Sequence, residues 1–258
     1  MNWPRLARER AWWRELLAGM DRKAAAVLLL TTVFVVMQMI WGTMPDALRP
    51  LARGLDEPWR ELSSWAWWFG FQFITGFLLP VLILTWGFGD TWSAVGLGRG
   101  DVRLAGWALL LYTPGVVVAT WFLSDQAAFQ AQYPHFRGGI HHDGAFWLYH
   151  GLFTMYWMGW EYLWRGFVLF GTRHVLGPLA ILVQAMPFAI MHFGKPAPEL
   201  MLSVVGGIAL GALVWRLRSF WIAVPLHAIQ MLILDLFCRW RQQSGVSGTG
   251  LEALQQLF

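Results

Sequence analysis

Leu104-Ala105-Gly106-Trp107-Ala108-Leu109-Leu110-Leu111-Tyr112-Thr113-Pro114-Gly115-Val116-Val117-Val118-Ala119-Thr120-Trp121-Phe122-Leu123 runs for twenty residues without an Asp, Glu, Lys or Arg. A helix of that length rises about 30 Å, the thickness of a bilayer's hydrocarbon core. Six further apolar stretches stand out, at about 24–42, 66–88, 145–170, 175–193, 199–215 and 219–238. The chain therefore reads as an all-α, polytopic transmembrane bundle of about seven membrane helices, or eight if one more is poorly marked. Within the sixth stretch, Gly206, Gly207 and Gly211 are expected to let the helix pack closely on a neighbour.

Composition agrees. Of 258 residues 57% are hydrophobic and only 13% charged. Soluble domains carry about 25% charged residues, so this chain has too little polar surface to meet water on all sides. The 19 Trp fit a membrane interface, where the ring is buried and its N–H stays wet. Cys238 is the single cysteine, which excludes an internal disulfide. A net charge of +4 beside apolar spans points to membrane lipid as a partner and not to nucleic acid. The first apolar run begins only after Lys23, behind a segment too long for a typical signal n-region, so no cleavable signal peptide is expected.

Four regions follow: a basic segment 1–23, N-terminal transmembrane helices 24–123, a helical core 145–238 and a tail 239–258. In the first, Arg5, Arg8, Arg10 and Arg14 interleave with Leu6, Trp12, Trp13 and Leu16. This suits an amphipathic helix on a lipid surface, or a solvated cytoplasmic tail. In the connection 124–144, the run His141-His142-Asp143 offers metal ligands or simply a solvated loop. An N-terminus in the cytoplasm places 12 of the 19 Arg and Lys on that side, as the positive-inside rule favours.

Ionisable groups inside spans are costly, which makes each a functional candidate. Glu161 and Arg165 share a helix face within Gly159-Trp160-Glu161-Tyr162-Leu163-Trp164-Arg165-Gly166-Phe167. They form either a neutralised packing pair or a carboxylate kept ionised to take a proton from water. His192 ends one span and His227 lies within the last, each on a different helix. Together the two imidazoles and the carboxylate can line one polar cavity that activates water or holds a metal. A strict seven-span count, however, puts Glu161 and His192 at opposite depths. Either the fourth helix runs on past Gly171, or the connection 171–182 is partly re-entrant.

At these residues the chain resembles the CPBP family of intramembrane proteases, also called Abi, which takes in CAAX prenyl endopeptidases and bacteriocin-processing relatives. Glu161, Arg165 and Gly166 match the second glutamate, the arginine and the glycine of its first motif. Phe188 with His192 matches the second motif, and His227 opens the third. Two positions depart. Trp160 stands where the family has its first glutamate, the water-activating base, and Met231 stands where an asparagine is usual. Gln230, Glu199 and Asp235 are the supporting residues considered in compensation: Gln230 for its carboxamide, Glu199 as a carboxylate able to swing towards His192, and Asp235 as a group holding the last helix to a partner.

The resemblance implies an intramembrane endopeptidase in a bacterial-type plasma (inner) membrane, acting on a peptide or membrane-protein substrate. Glu161 orients or deprotonates water with help from His192. His227, with Gln230, donates to the oxyanion, and Arg165 keeps Glu161 ionised. A divalent metal such as zinc, if used, is expected on His192, His227 and Glu161. The competing class is a non-catalytic scaffold or immunity-type protein that keeps the fold, favoured by Trp160 and Met231.

Overall fold

The computed structural model describes residues 3–44 and 48–256, and the side chains of all of these except 3–7 and 49. Each of the seven apolar stretches is helical over most of its length. Ahead of them, α1 spans Trp3–Ala18; Met1 and Asn2 of the expected amphipathic segment lie outside the described residues. From residue 8 onward α1 is exposed, with Trp12, Trp13, Leu16 and Leu17 all uncovered.

The bundle proper consists of α2 (Arg22–Trp41), α3 (Trp59–Gly87), α4 (Val102–Ser124), α5 (143–176), α6 (Leu179–Ile190), α7 (Ala197–Leu217) and α8 (Ala223–Ser244). Five of these, α2, α3, α4, α7 and α8, are long and apolar enough to cross a membrane; α6 is a shorter apolar helix. Their outer faces leave large side chains such as Leu29, Leu111, Val118 and Met201 uncovered, as contact with acyl chains requires. The chain is an all-helical integral membrane protein, with no strand among the described residues.

Helix ends follow local chemistry. The Asp21 carboxylate accepts from the Ala24 amide at 2.8 Å and starts α2. Asp101 does the same for α4 through Leu104, at 2.9 Å. These side chains satisfy amides that have no partner within the helix. At one end of the bundle Lys23 pairs with Asp90, and Asp21 meets His174 Nε2 at 3.0 Å. Elsewhere, Arg241 of α8 reaches Ser124 at 2.9 Å and Asp125 at 3.0 Å, just past the end of α4.

α5 is the axis of the fold. It packs against α2, α3, α6 and α8, and residues 159–172 are buried without a break. The helix runs on past Gly171 to Leu176 and turns at Gly177, whose φ is 53°. That resolves the depth conflict: Glu161 lies near the middle of a long helix, not at the end of a short one. Within it, Tyr162–Val168 forms a π turn. Such a bulge re-aims the side chains around it and is frequent at functional sites.

Two contacts set the height of α5. A Cβ on Gly159 would lie 2.3 Å from the Gln72 carbonyl oxygen, and one on Gly76 would lie 2.4 Å from the Gly159 carbonyl oxygen. The backbones of α3 and α5 thus touch directly. On the other side α7 packs on α6 through Gly207 and Gly211. A Cβ on Gly207 would meet Phe188 at 2.9 Å, and the Gln184 amide donates to the Gly207 carbonyl at 2.9 Å. The expectation for Gly206 is corrected: nothing lies within 4 Å of it, because it sits one residue, about 100°, around the helix from Gly207.

Gly159→Ala is expected to lower stability by about 1–3 kcal/mol through overpacking. Gly70→Ala on α3, with nothing within 4 Å, serves as the tolerated control. Thermal unfolding of both variants in detergent checks the contrast.

Candidate active site

Glu161 closes the regular first part of α5, and Arg165 follows within the π turn. Both side chains are fully buried. Arg165 Nη1 stands 3.2 Å from Glu161 Oε2 and 3.4 Å from Oε1. The guanidinium carbon also lies 3.9 Å from the centroid of the Phe188 ring, so an aromatic face carries part of the charge where water is excluded.

From α8, His227 brings Nδ1 to 2.5 Å from Glu161 Oε1. His227 thus meets the carboxylate through Nδ1, and its Nε2 makes no hydrogen bond to the described residues. Its ring stacks parallel on Trp157, 4.6 Å between centroids and 5° between planes. His192 donates through Nδ1 to the Phe188 carbonyl at 2.7 Å, which leaves Nε2 as an acceptor. Both imidazoles border the Phe188 ring, at 4.6 Å for His192 and 6.0 Å for His227. Arg165, His192 and His227 therefore gather around Phe188, and Glu161 joins them through Arg165 and His227.

Trp160 forms a wall of this site. It stacks on Tyr156 at 5.8 Å, meets Trp164 edge-on at 5.7 Å and lies 6.2 Å from His192. Its indole fills the place that the resemblance assigns to a carboxylate.

The supporting residues separate. Gln230 accepts a hydrogen bond from the Tyr112 hydroxyl of α4, which leaves its amide N–H groups to donate elsewhere. Glu199 does not turn to His192; the Tyr133 hydroxyl contacts both its oxygens, at 2.7 and 2.6 Å, in the first turn of α7. Asp235 is buried on α8, with His150 Nε2 of α5 3.5 Å from Oδ2. In the His141-His142-Asp143 run, His142 caps α5 through the Ala145 amide at 3.1 Å, and Asp143 pairs with Arg239.

Among the described residues no three His, Cys, Asp or Glu side chains are grouped to hold a metal ion. Of the atoms in the set expected for a divalent metal, Glu161 Oε1 and His227 Nδ1 are bonded to each other.

Residues 143–233 match a family model described as Type II CAAX prenyl endopeptidase Rce1-like. Over these residues, about a third of the chain, the protein is similar to that family. The match begins with α5, ends within α8 and contains Glu161, Arg165, His192 and His227. No curated protein and no solved structure matches the chain. Sequence reasoning singled out Glu161, Arg165, His192 and His227, which the structure brings together, but not two residues that contact them or Gln230. Trp157 lies four residues before Glu161 and so shares its helix face, a signal that was available. Tyr112 lies outside the Rce1-like segment, and only its phenol within an uncharged span marks it.

Arg165→Met alone is expected to cost about 3–5 kcal/mol, because it strands a buried carboxylate. Glu161→Gln alone strands the guanidinium. The double variant Glu161→Gln/Arg165→Met recovers most of the loss, and a double-mutant cycle in unfolding measurements reads this coupling. Simple additivity of the two costs would contradict a coupled pair.

Proposed function

We propose that the chain is an intramembrane endopeptidase that hydrolyses a peptide bond in a peptide or membrane-protein substrate. The single observation that carries the reading is the 2.5 Å contact from His227 to Glu161, beside the Arg165 ion pair and within the Rce1-like segment. The matched family's printed name specifies CAAX prenyl endopeptidases; for this chain the proposal extends only to the peptide bond.

Glu161 has no exposed surface and is engaged by both Arg165 and His227. These facts favour an orienting role, in which Glu161 fixes the His227 tautomer and stabilises the imidazolium that forms. His227 keeps 13% of its side chain exposed. Its Nε2 takes a proton from water as the water oxygen bonds to the peptide carbonyl carbon. The same proton then goes to the amine nitrogen as the C–N bond breaks. His192 Nε2, on a ring that also borders Phe188, holds the water by accepting its second hydrogen. Gln230, its oxygen occupied by Tyr112, donates to the developing oxyanion. Arg165 holds Glu161 in place through the ion pair. The N-terminus is taken as cytoplasmic, in a plasma membrane, on the distribution of Arg and Lys.

The second reading, a non-catalytic scaffold, is favoured by Trp160, whose indole is built into the site's aromatic packing. Purified wild type, His227→Gln and Glu161→Gln/Arg165→Met are to be compared on a peptide library in lipid nanodiscs. The protease reading expects cleavage by wild type and a loss of about 10²–10⁴-fold in both variants, the usual contribution of a proton-transfer group. Cleavage unchanged in His227→Gln would remove the imidazole from the chemistry. Cleavage by none of the three would favour the scaffold.

A further inference from the structure

The face of α8 that carries His227 holds a second polar centre. Asp235 follows His227 by eight residues, about 12 Å along the axis, with Met231 midway between them. Its carboxylate is wholly buried, and neither oxygen has a hydrogen-bond partner in the protein. His150 Nε2, 3.5 Å from Oδ2, is also buried and without a hydrogen bond. The neighbouring Tyr149 hydroxyl, on a fully buried side chain, is in the same condition. Four unpartnered atoms on three residues thus join α5 to α8 deep in the bundle.

A charged network lies alongside. Lys195 Nζ donates to His135 Nε2 at 2.7 Å and to the Tyr133 hydroxyl at 3.2 Å, and Tyr133 donates to Glu199. Burial and the neighbouring Lys195 charge hold His135 well below its ordinary value, so its proton resides on Nδ1, a further buried donor without a partner. Asp235 is close enough to act electrostatically on Lys195, Tyr133 and Tyr149. Native proteins leave few buried polar atoms unsatisfied, and ordered water is their usual partner at polar internal sites. The chemistry favours water over a cation: Lys195 already supplies positive charge, and no metal-holding group of three ligands occurs among the described residues.

We propose that Asp235, His150 and Tyr149 bind buried water, and that this water continues along α8 past Met231 to supply His227. The supply role rests on the hydrolase reading of the first site. A hydrolase working below the membrane surface needs such a store, because hydrocarbon provides none.

Hydroxyl-radical footprinting of the protein in nanodiscs, after rapid mixing into ¹⁸O-water, tests this without any substrate. Rates normalised to intrinsic reactivity are expected to be high at Tyr149 and Met231, both nearly inaccessible from outside. Phe153, buried one turn from Tyr149 among aromatic rings, is the dry reference. Asp235→Leu is expected to abolish the label at Tyr149, and Asp235→Asn, which can still bind water, to keep it. Tyr149 and Met231 labelled no faster than Phe153 would overturn the proposal, as would labelling unchanged in Asp235→Leu. Because wild type and Asp235→Asn are informative by themselves, a failure of the leucine variant to fold does not spoil the test. A wet chamber in a protein that cleaves nothing would sink the hydrolase reading and the supply role, and leave the water site itself confirmed.

Discussion

Neither a guanidinium nor a carboxylate can sit alone in the middle of a lipid-embedded helix; Glu161 and Arg165 enter α5 as a pair, and the rest of the bundle is arranged to keep them dry. Taking two charges out of water costs several kcal/mol each before their attraction is counted. The pair is tolerable only if every neighbour excludes lipid and supplies polarity where it is needed. Hence residues 159–172 are buried on every side, α2, α3, α6 and α8 surround α5, and His227 and the Phe188 ring complete the coordination of the pair. The backbone contact between Gly76 and Gly159 belongs to the same constraint, since it fixes the height at which Glu161 meets α8.

Much of this was readable in the sequence, for reasons that differ from element to element. The apolar stretches announced themselves because a bilayer imposes a length and forbids charge. Glu161, Arg165, His192 and His227 stood out because polar groups in spans are rare. The true extent of α5 was not readable. Its central charges interrupt the apolar run, and only packing against four neighbours carries the helix to Leu176. Nor could the sequence tell that Glu199 would answer to Tyr133, 66 residues away, since nothing local links them. His142 was read as a ligand or a solvated residue and is a helix cap, a role that any residue with a side-chain acceptor at that position can take. Of the three glycines in α7, which two face α6 depended on a rotation that the sequence leaves open.

Trp160 is the point on which the chemistry turns. A carboxylate there would stand beside His192 and Phe188; the indole instead makes that wall apolar and joins a run of packed rings from Tyr156 to Trp164. In the proposed mechanism, the absence of a carboxylate at this position leaves proton transfer to the imidazoles, each of which presents an unbonded Nε2. Glu161, without exposed surface, is better placed to hold His227 than to meet water itself. Under the proposed protease reading, the division of labour is that of an oriented imidazole: a buried carboxylate sets the tautomer, and the partly exposed ring handles the proton.

That orientation can be read directly from the protonation of His227. Nitrogen-15 solid-state NMR of histidine-labelled protein in lipid bilayers at neutral pH, with His227→Gln to assign the signal, distinguishes the two tautomers and the imidazolium. The account predicts a neutral ring protonated at Nδ1, with an unprotonated Nε2. It also predicts that Glu161→Gln/Arg165→Met shifts the signal. A His227 ring protonated at Nε2, whether as the other tautomer or as a stable imidazolium, would contradict it.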